Sequence, residues 1–218
     1  FVPLIRLYDA GVINEAVMDL IRWNVRTPEE VIGDIRSQVA ANYVCSQRVI
    51  EMMEEVDLDT LDDLAEDIIR RTEKTMRDAI EKIPDGVYSY EEVIEGIGGR
   101  EDIKLRATIE VKGSDIVVDL DGSSPQVDWG YNVVYNFAYA YVAFAIKSAL
   151  IPEIPNNEGC ILPITMKAPE GSVVNCKFPA AVAGRTAVGH FLTEIVYRAL
   201  APAIPERVLA GCGGTPAW

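Results

Sequence analysis

Hydrophobic positions in the first third of the chain recur at helical spacing. Leu61, Leu64, Ala65, Ile68, Ile69 and Met76 fall at i, i+3, i+4, i+7 and i+8 intervals and make one apolar stripe, with Asp62, Asp63, Glu66 and Asp67 mostly opposite it. Those acids read as the solvated face of an amphipathic helix. Thr60-x-x-Asp63, a capping-box variant, marks its start. Upstream, Thr27-Pro28-Glu29-Glu30 supplies an N-cap threonine, a proline at the first helical position and a glutamate three residues after the cap. It predicts a long helix to about Met53, with Val31, Ile35, Val39 and Val49 near one face.

At Pro84-Asp85-Gly86 the helical period ends and a turn hands over to β structure. Leu105, Ala107, Ile109 and Val111 alternate with polar residues, Lys112-Gly113-Ser114-Asp115 offers a turn, and Ile116, Val118 and Leu120 alternate again, which predicts a β-hairpin. A loop rich in Asp, Gly, Ser and Pro runs from Asp119 to Asn132 and leads into an apolar stretch, Val133 to Leu150. Asn136, Lys147 and several tyrosines interrupt that stretch, so it reads as a buried core helix and not as a membrane span. Beyond a loop at 152–159, two short strands are expected near Ile161 to Lys167 and Ser172 to Asn175, then a last amphipathic helix from about Ala187 to Ala201. The pattern predicts an α+β fold: a helical region over residues 1–83, then a mixed β/α region over 84–218 with a β-hairpin and two long helices.

Composition narrows what such a fold does. The 218 residues are 49% hydrophobic and 25% charged, the profile of a globular protein that needs no disulfide or metal to hold its core. A formal net charge of −14 repels a phosphate backbone and argues against a nucleic-acid partner. Cys45, Cys160, Cys176 and Cys212 form no CxxC pair and no zinc-type spacing, which fits a reducing, cytoplasmic setting. The start at Phe1-Val2-Pro3-Leu4, without an initiator methionine or a leader pattern, reads as an internal piece of a larger subunit.

Three segments carry candidate chemistry. In Asp119-Leu120-Asp121-Gly122-Ser123-Ser124 two carboxylates stand two residues apart on one face of a strand end, a pair able to hold a divalent cation or divide acid and base roles, though Asp, Gly and Ser are also ordinary turn residues. Ala183-Gly184-Arg185-Thr186-Ala187-Val188-Gly189-His190 enters the last helix, where free N–H groups and the Arg185 fork suit a carboxylate or phosphate; Thr186 reads equally as an N-cap. His190 is the sole histidine, which excludes a His-cluster metal site built from this chain and leaves His190 as a candidate general base without a nameable orienting partner. On the long helix, Asp34, Gln38 and Asn42 form a polar stripe that either lines a cleft or faces solvent. No Walker A loop or GxGxxG fingerprint is present.

The order of motifs resembles the hydantoinase B/oxoprolinase family. The residues that carry the likeness are Asn24-Val25-Arg26-Thr27-Pro28, Gly33-Asp34-Ile35-Arg36-Ser37-Gln38-Val39-Ala40-Ala41-Asn42, Pro84-Asp85-Gly86-Val87-Tyr88, Asp119 through Gln126, Gly130-Tyr131-Asn132, Pro155-Asn156-Asn157-Glu158-Gly159-Cys160, Ala168-Pro169-Glu170-Gly171-Ser172 and Pro179-Ala180-Ala181-Val182. The resemblance implies a B-type subunit working with a hydantoinase A-type partner that binds ATP with Mg and phosphorylates the substrate oxygen. The reaction completed is cyclic-amide hydrolysis in hydantoinases and oxoprolinases and carboxylation of an activated enol in the ketone carboxylases, where manganese or another divalent metal lies elsewhere in the complex. Gly184-Arg185-Thr186-Ala187 stands where the hydrolases tend to read Gly-Asn and a Thr/Ser-Gln-Arg element, which leans toward the carboxylase branch. A non-catalytic scaffold is a third reading. On the first two, Asp121 and His190 are the candidate catalytic residues, and Arg185, Thr186, Asn132, Asn157, Gln38 and Asp34 the candidate substrate contacts, with the polar loops expected to converge on an anionic intermediate.

Overall fold

The computed structural model of the chain describes residues 4–96 and 98–211. By its internal contacts the chain divides into two units, residues 1–63 and 64–218. In the first, β1 (Tyr8–Asp9) and β2 (Val12–Ile13) pair as a minimal antiparallel hairpin. Helix α1 (Glu15–Asn24) starts at Asn14, whose side chain accepts the Val17 N–H, and buries Val17 and Met18. Helix α2 (Pro28–Glu55) begins where Thr27-Pro28 predicts, but the Thr27 side chain makes no cap bond. Pro28, which has no N–H to satisfy, and the first-turn acids Glu29 and Glu30 favour the start instead. Only Ile32 of α2 is buried, and Asp34 and Gln38 are both exposed.

The second unit is built on a four-stranded sheet of β3 (Gly86–Ile94), β4 (Ile103–Lys112), β5 (Asp115–Asp119) and β6 (Ile164–Lys167) in the order β3-β4-β5-β6. The first three are antiparallel neighbours, and β6 runs parallel to β5. Alternation decides the faces: Ile103, Leu105, Ala107, Ile109 and Val111 of β4 point inward, while Lys104, Arg106, Glu110 and Lys112 face solvent or lie nearer it. Helix α5 (Arg185–Leu200) packs against β3 and β4, and helix α4 (Tyr135–Leu150) packs along α5, which gives a sheet layer backed by a helix layer. Leu105 is fully buried at the centre of this core. Leu105→Ala is expected to cost about 2–5 kcal/mol, read as a lowered urea midpoint with an unchanged slope.

Helix α3 (Asp62–Ile80) carries the predicted amphipathic stripe, with Met76 and Ile80 buried. Arg77 ties it to the β4–β5 turn, its guanidinium 2.8 Å from both Glu73 and Asp115. Those bonds raise the Arg77 pKa, the one to Asp115 most of all. Farther along, Asn157 Nδ2 donates to Thr72 Oγ1 at 2.9 Å.

One expectation needs correction. Residues 172–175 form isolated bridges only, because Ser172 donates both its N–H and its hydroxyl to Pro169 O and closes a turn. Strand β3, by contrast, is a full nine-residue element that the change of period at Gly86 announced without delimiting. Helix α4 has 16 residues, and among the described residues no helix is long and apolar enough to cross a membrane.

Candidate functional site

The loop from Asp119 to Asn132 is folded by its own side chains. Asn132 is 0% exposed. Its amide oxygen accepts the Val127 N–H at 2.8 Å, and its Nδ2 donates to the carbonyls of Val127, Trp129 and Ala181 at 2.8–2.9 Å. The last bond reaches across to the segment before α5. There the Gly184 N–H donates to Gly130 O at 2.8 Å. A Cβ on Gly184 would stand 2.8 Å from the Tyr131 ring, so only glycine fits. The Asn132 loop and the Arg185 corner are therefore one structure.

At the other end of the loop, the Asp119 carboxylate accepts the Asp121 N–H at 2.9 Å in an Asx turn, and Gly122 follows at φ +87°. The expected pair of facing acids is thus one turn-forming carboxylate, Asp119, and one exposed one, Asp121. Among the described residues no group of three or more His, Cys, Asp or Glu side chains is placed to hold a metal ion.

Helix α5 takes Gly184 as its N-cap, so Thr186 lies in the first turn and does not cap it. Arg185, exposed, donates to Val182 O at 3.1 Å and lies with its guanidinium carbon 5.4 Å from the Phe137 ring centre. Phe137 sits 5.0 Å from Tyr141, and Tyr141 sits 6.0 Å from His190, centre to centre. Phe137, Tyr141 and Phe144 recur at i, i+4 and i+7 on α4, so this helix supplies a row of rings along the α4/α5 seam. The row joins Arg185 at one end to His190.

Below His190 the seam opens into a cleft of about 530 Å³, walled mostly by carbon, with Tyr141, Phe144, His190, Tyr197 and Leu209 around it. Burial raises the Tyr197 phenol pKa, partly offset by a hydrogen bond with Ser148, so the ring stays neutral. At the rim Glu194 pairs with Arg198 at 2.7 Å, and Arg198 also donates to Tyr90 Oη at 2.7 Å. Gly189 sets the helix approach: a Cβ there would be 2.7 Å from the Tyr141 ring. Gly189→Ala is expected to displace that ring and lower stability by about 1–3 kcal/mol, read as a fall in Tm with altered tyrosine near-UV dichroism.

Among the residues singled out from sequence, Asn132, Arg185 and Thr186 lie on or directly after the shared corner, and His190 follows along the seam. Asp121 occupies the far end of the same loop. Asn157 is engaged elsewhere, accepting the Gly159 N–H at 2.9 Å while bonded to Thr72. Asp34 and Gln38 belong to the other unit. The aromatic row of α4 is a feature the sequence reading does not assign, although its i, i+4, i+7 spacing is present in the sequence.

A sheet backed by two helices, with a mainly apolar cleft on the helical layer, defines an α+β domain. The chain belongs to the hydantoinase B/oxoprolinase family, whose model matches residues 1–218. It is 37% identical over 96% of its length to a Pseudomonas sp. (strain NS671) protein provisionally named as the B-type subunit of a D-/L-hydantoinase, and covers 37% of that protein. The crystal structure of the ATP-dependent caprolactamase from Pseudomonas jessenii superposes with a TM-score of 0.87 at 27% identity over 94% of this chain and 36% of that one. The nucleotide-free structure of acetone carboxylase superposes with a TM-score of 0.81 over 97% of this chain and 30% of that one, at 16% identity, a likeness of fold alone. The chain thus spans between 30% and 37% of the length of these three relatives.

Proposed function

We propose that the chain is part of the B-type subunit of an ATP-dependent enzyme that opens a cyclic amide, with ATP and Mg held by a hydantoinase A-type partner in a cytoplasmic hetero-oligomer. The observation that carries this reading is the 37% identity across nearly the whole chain to a protein named for a hydantoinase. The ATP-dependent caprolactamase, named for a lactam, adds to it at 27% identity.

A cyclic amide resists water because its carbonyl is stabilised by the nitrogen lone pair. Phosphorylation of the carbonyl oxygen makes that carbon electrophilic and leaves a negatively charged intermediate. In this reading Arg185, at the opening of α5, faces that charge, where a cation and the helix dipole stabilise it in an otherwise acidic chain. His190, on the seam, and Asp121, on the loop, are the groups available to move a proton to the leaving nitrogen or from the attacking water.

Ketone carboxylation is the second reading. The Gly184-Arg185-Thr186-Ala187 sequence favours it. ADP release by the complex of the complete subunit with its A-type partner separates the two. Hydantoin or a lactam is expected to stimulate it without bicarbonate. Stimulation by ketones only, and only with bicarbonate, would assign the complex to carboxylation.

A further inference from the structure

The two edges of the four-stranded sheet are finished differently. At the β6 edge the Ile116 and Leu120 N–H groups donate to Pro163 O and Lys167 O, so Ile164 and Met166 turn their backbone groups away from β5. The chain itself closes that side. Tyr135 Oη donates to Met166 O at 2.7 Å, Tyr139 Oη to Ile164 O at 3.1 Å, and the Ile164 N–H to Ile161 O at 2.9 Å.

Strand β3, at the other edge, has no such cover. Lys104 and Arg106 of β4 direct their backbone groups away from β3, to Ser124 and Ser123, so the odd-numbered residues of β4 are the ones that bond β3. The register sets these opposite Gly86, Tyr88, Tyr90, Glu92 and Ile94, which leaves the N–H and C=O groups of Val87, Ser89, Glu91 and Val93 pointing outward. All four residues are exposed, and their outward backbone groups have no partner among the described residues. The pairing runs unbroken along β3, roughly 30 Å at about 3.4 Å per residue, with no bulge, proline or lysine to discourage a further strand.

The side chains beside this edge describe what completes it. Tyr88 and Tyr90 are partly buried at the border of the core, while Val87 and Val93 are 67% and 50% exposed on the opposite face. A strand with alternating apolar residues would cover both pairs. A net charge of −14 opposes self-pairing of two copies. A segment of the same polypeptide meets no such penalty and is present at high effective concentration. The chain covers only 37% of the Pseudomonas sp. protein, so such a subunit has ample length to supply one. We propose that β3 is an internal strand of the complete subunit, its open edge paired with an extended, alternately apolar segment from the part of the B-type subunit beyond these 218 residues. This completion of the sheet rests on the reading of the chain as part of a longer B-type subunit, and not on which reaction that subunit serves.

Residue-resolved hydrogen exchange of the complete subunit, without ATP or the A-type partner, reads the edge directly. The Tyr88, Tyr90, Glu92 and Ile94 amides face β4 and serve as the internal standard. The Val87, Ser89, Glu91 and Val93 amides are expected to be as slow, about a thousandfold or more below free peptide, and unchanged on dilution. Fast exchange at these four, with only the β4-facing set protected, would overturn the proposal. So would protection that needs high concentration, which assigns the edge to a second copy, or that needs the A-type partner, which assigns it to that protein. Turnover does not enter the measurement, so its failure and that of the proposed reaction are separate results. Ser89→Pro gives a second readout, because proline is tolerated at an open edge but removes a ladder bond from a paired one. It is expected to speed exchange at Val87, Glu91 and Val93 by about tenfold or more, with Ser89→Ala unchanged. A Ser89→Pro subunit that exchanges like the native one would contradict the pairing, and the native measurement decides the case if that variant does not fold.

Discussion

Asn132→Ala is expected to destabilise the second unit by about 3–4 kcal/mol, a large effect for one side chain on a loop. The residue is fully buried and serves four backbone groups at once, the Val127 N–H and the carbonyls of Val127, Trp129 and Ala181. Alanine leaves the Val127 N–H and the Val127 and Ala181 carbonyls without this partner, while Trp129 O keeps the Tyr131 N–H, and unsatisfied groups cost about 1–3 kcal/mol each, less than additively. Asn132→Asp is expected to be worse, because a carboxylate in place of Nδ2 would face three carbonyl oxygens and would have to bury its charge. Chemical denaturation of the subunit measures both. A loss under 1 kcal/mol for alanine would mean that the corner is held by its backbone bonds alone.

The second large effect is expected at Gly159. A Cβ there would stand 2.3 Å from Ile69 O and 2.8 Å from Glu73 N, both backbone atoms of α3. A helix backbone cannot swing aside as a side chain can, so Gly159→Ala must push α3 away from the turn at Glu158–Cys160. It would also strain the Asn157–Thr72 bond beside it. A loss of about 3 kcal/mol is expected, the upper part of the range for overpacking. Asn157→Ala, which removes the bonds to Thr72 Oγ1, Pro155 O and the Gly159 N–H but disturbs no backbone fit, is expected to cost about 1–2 kcal/mol. Hydrogen exchange along α3 distinguishes a local displacement from global unfolding.

Much of this fold was legible in the sequence where one periodicity ruled. The hairpin of β4 and β5, the starts of α2 and α3 and the reach of α4 and α5 all follow from alternation, caps or an unbroken apolar run. What was not legible depends on residues distant in the chain. Asn132 reads in sequence as a candidate substrate contact, and nothing local to it foretells that Ala181, 49 positions on, supplies one of its acceptors. Asp119 and Asp121 sit two apart as a catalytic pair could, but the first is consumed by the N–H of the second. The approach of α4 to α5 at Gly189 and Tyr141, which shapes the cleft, is likewise a tertiary fact. Even so, the expected meeting of the Asn132 loop with the Arg185 corner is present, through the Gly184 to Gly130 bond.

Arg185 is where the structural account meets the proposed chemistry. Its side chain is exposed and supports no buried group, so Arg185→Ala is compatible with an intact fold. The most direct measurement is steady-state turnover of a hydantoin by the complex of the complete subunit with its ATP-binding partner, comparing the native enzyme with Arg185→Ala at matched complex assembly. If this corner faces the phosphorylated intermediate, kcat falls by about 10²-fold while the complex remains assembled, in keeping with removal of one charge-stabilising group. Unchanged turnover in an intact complex would contradict the account and leave the corner a structural joint.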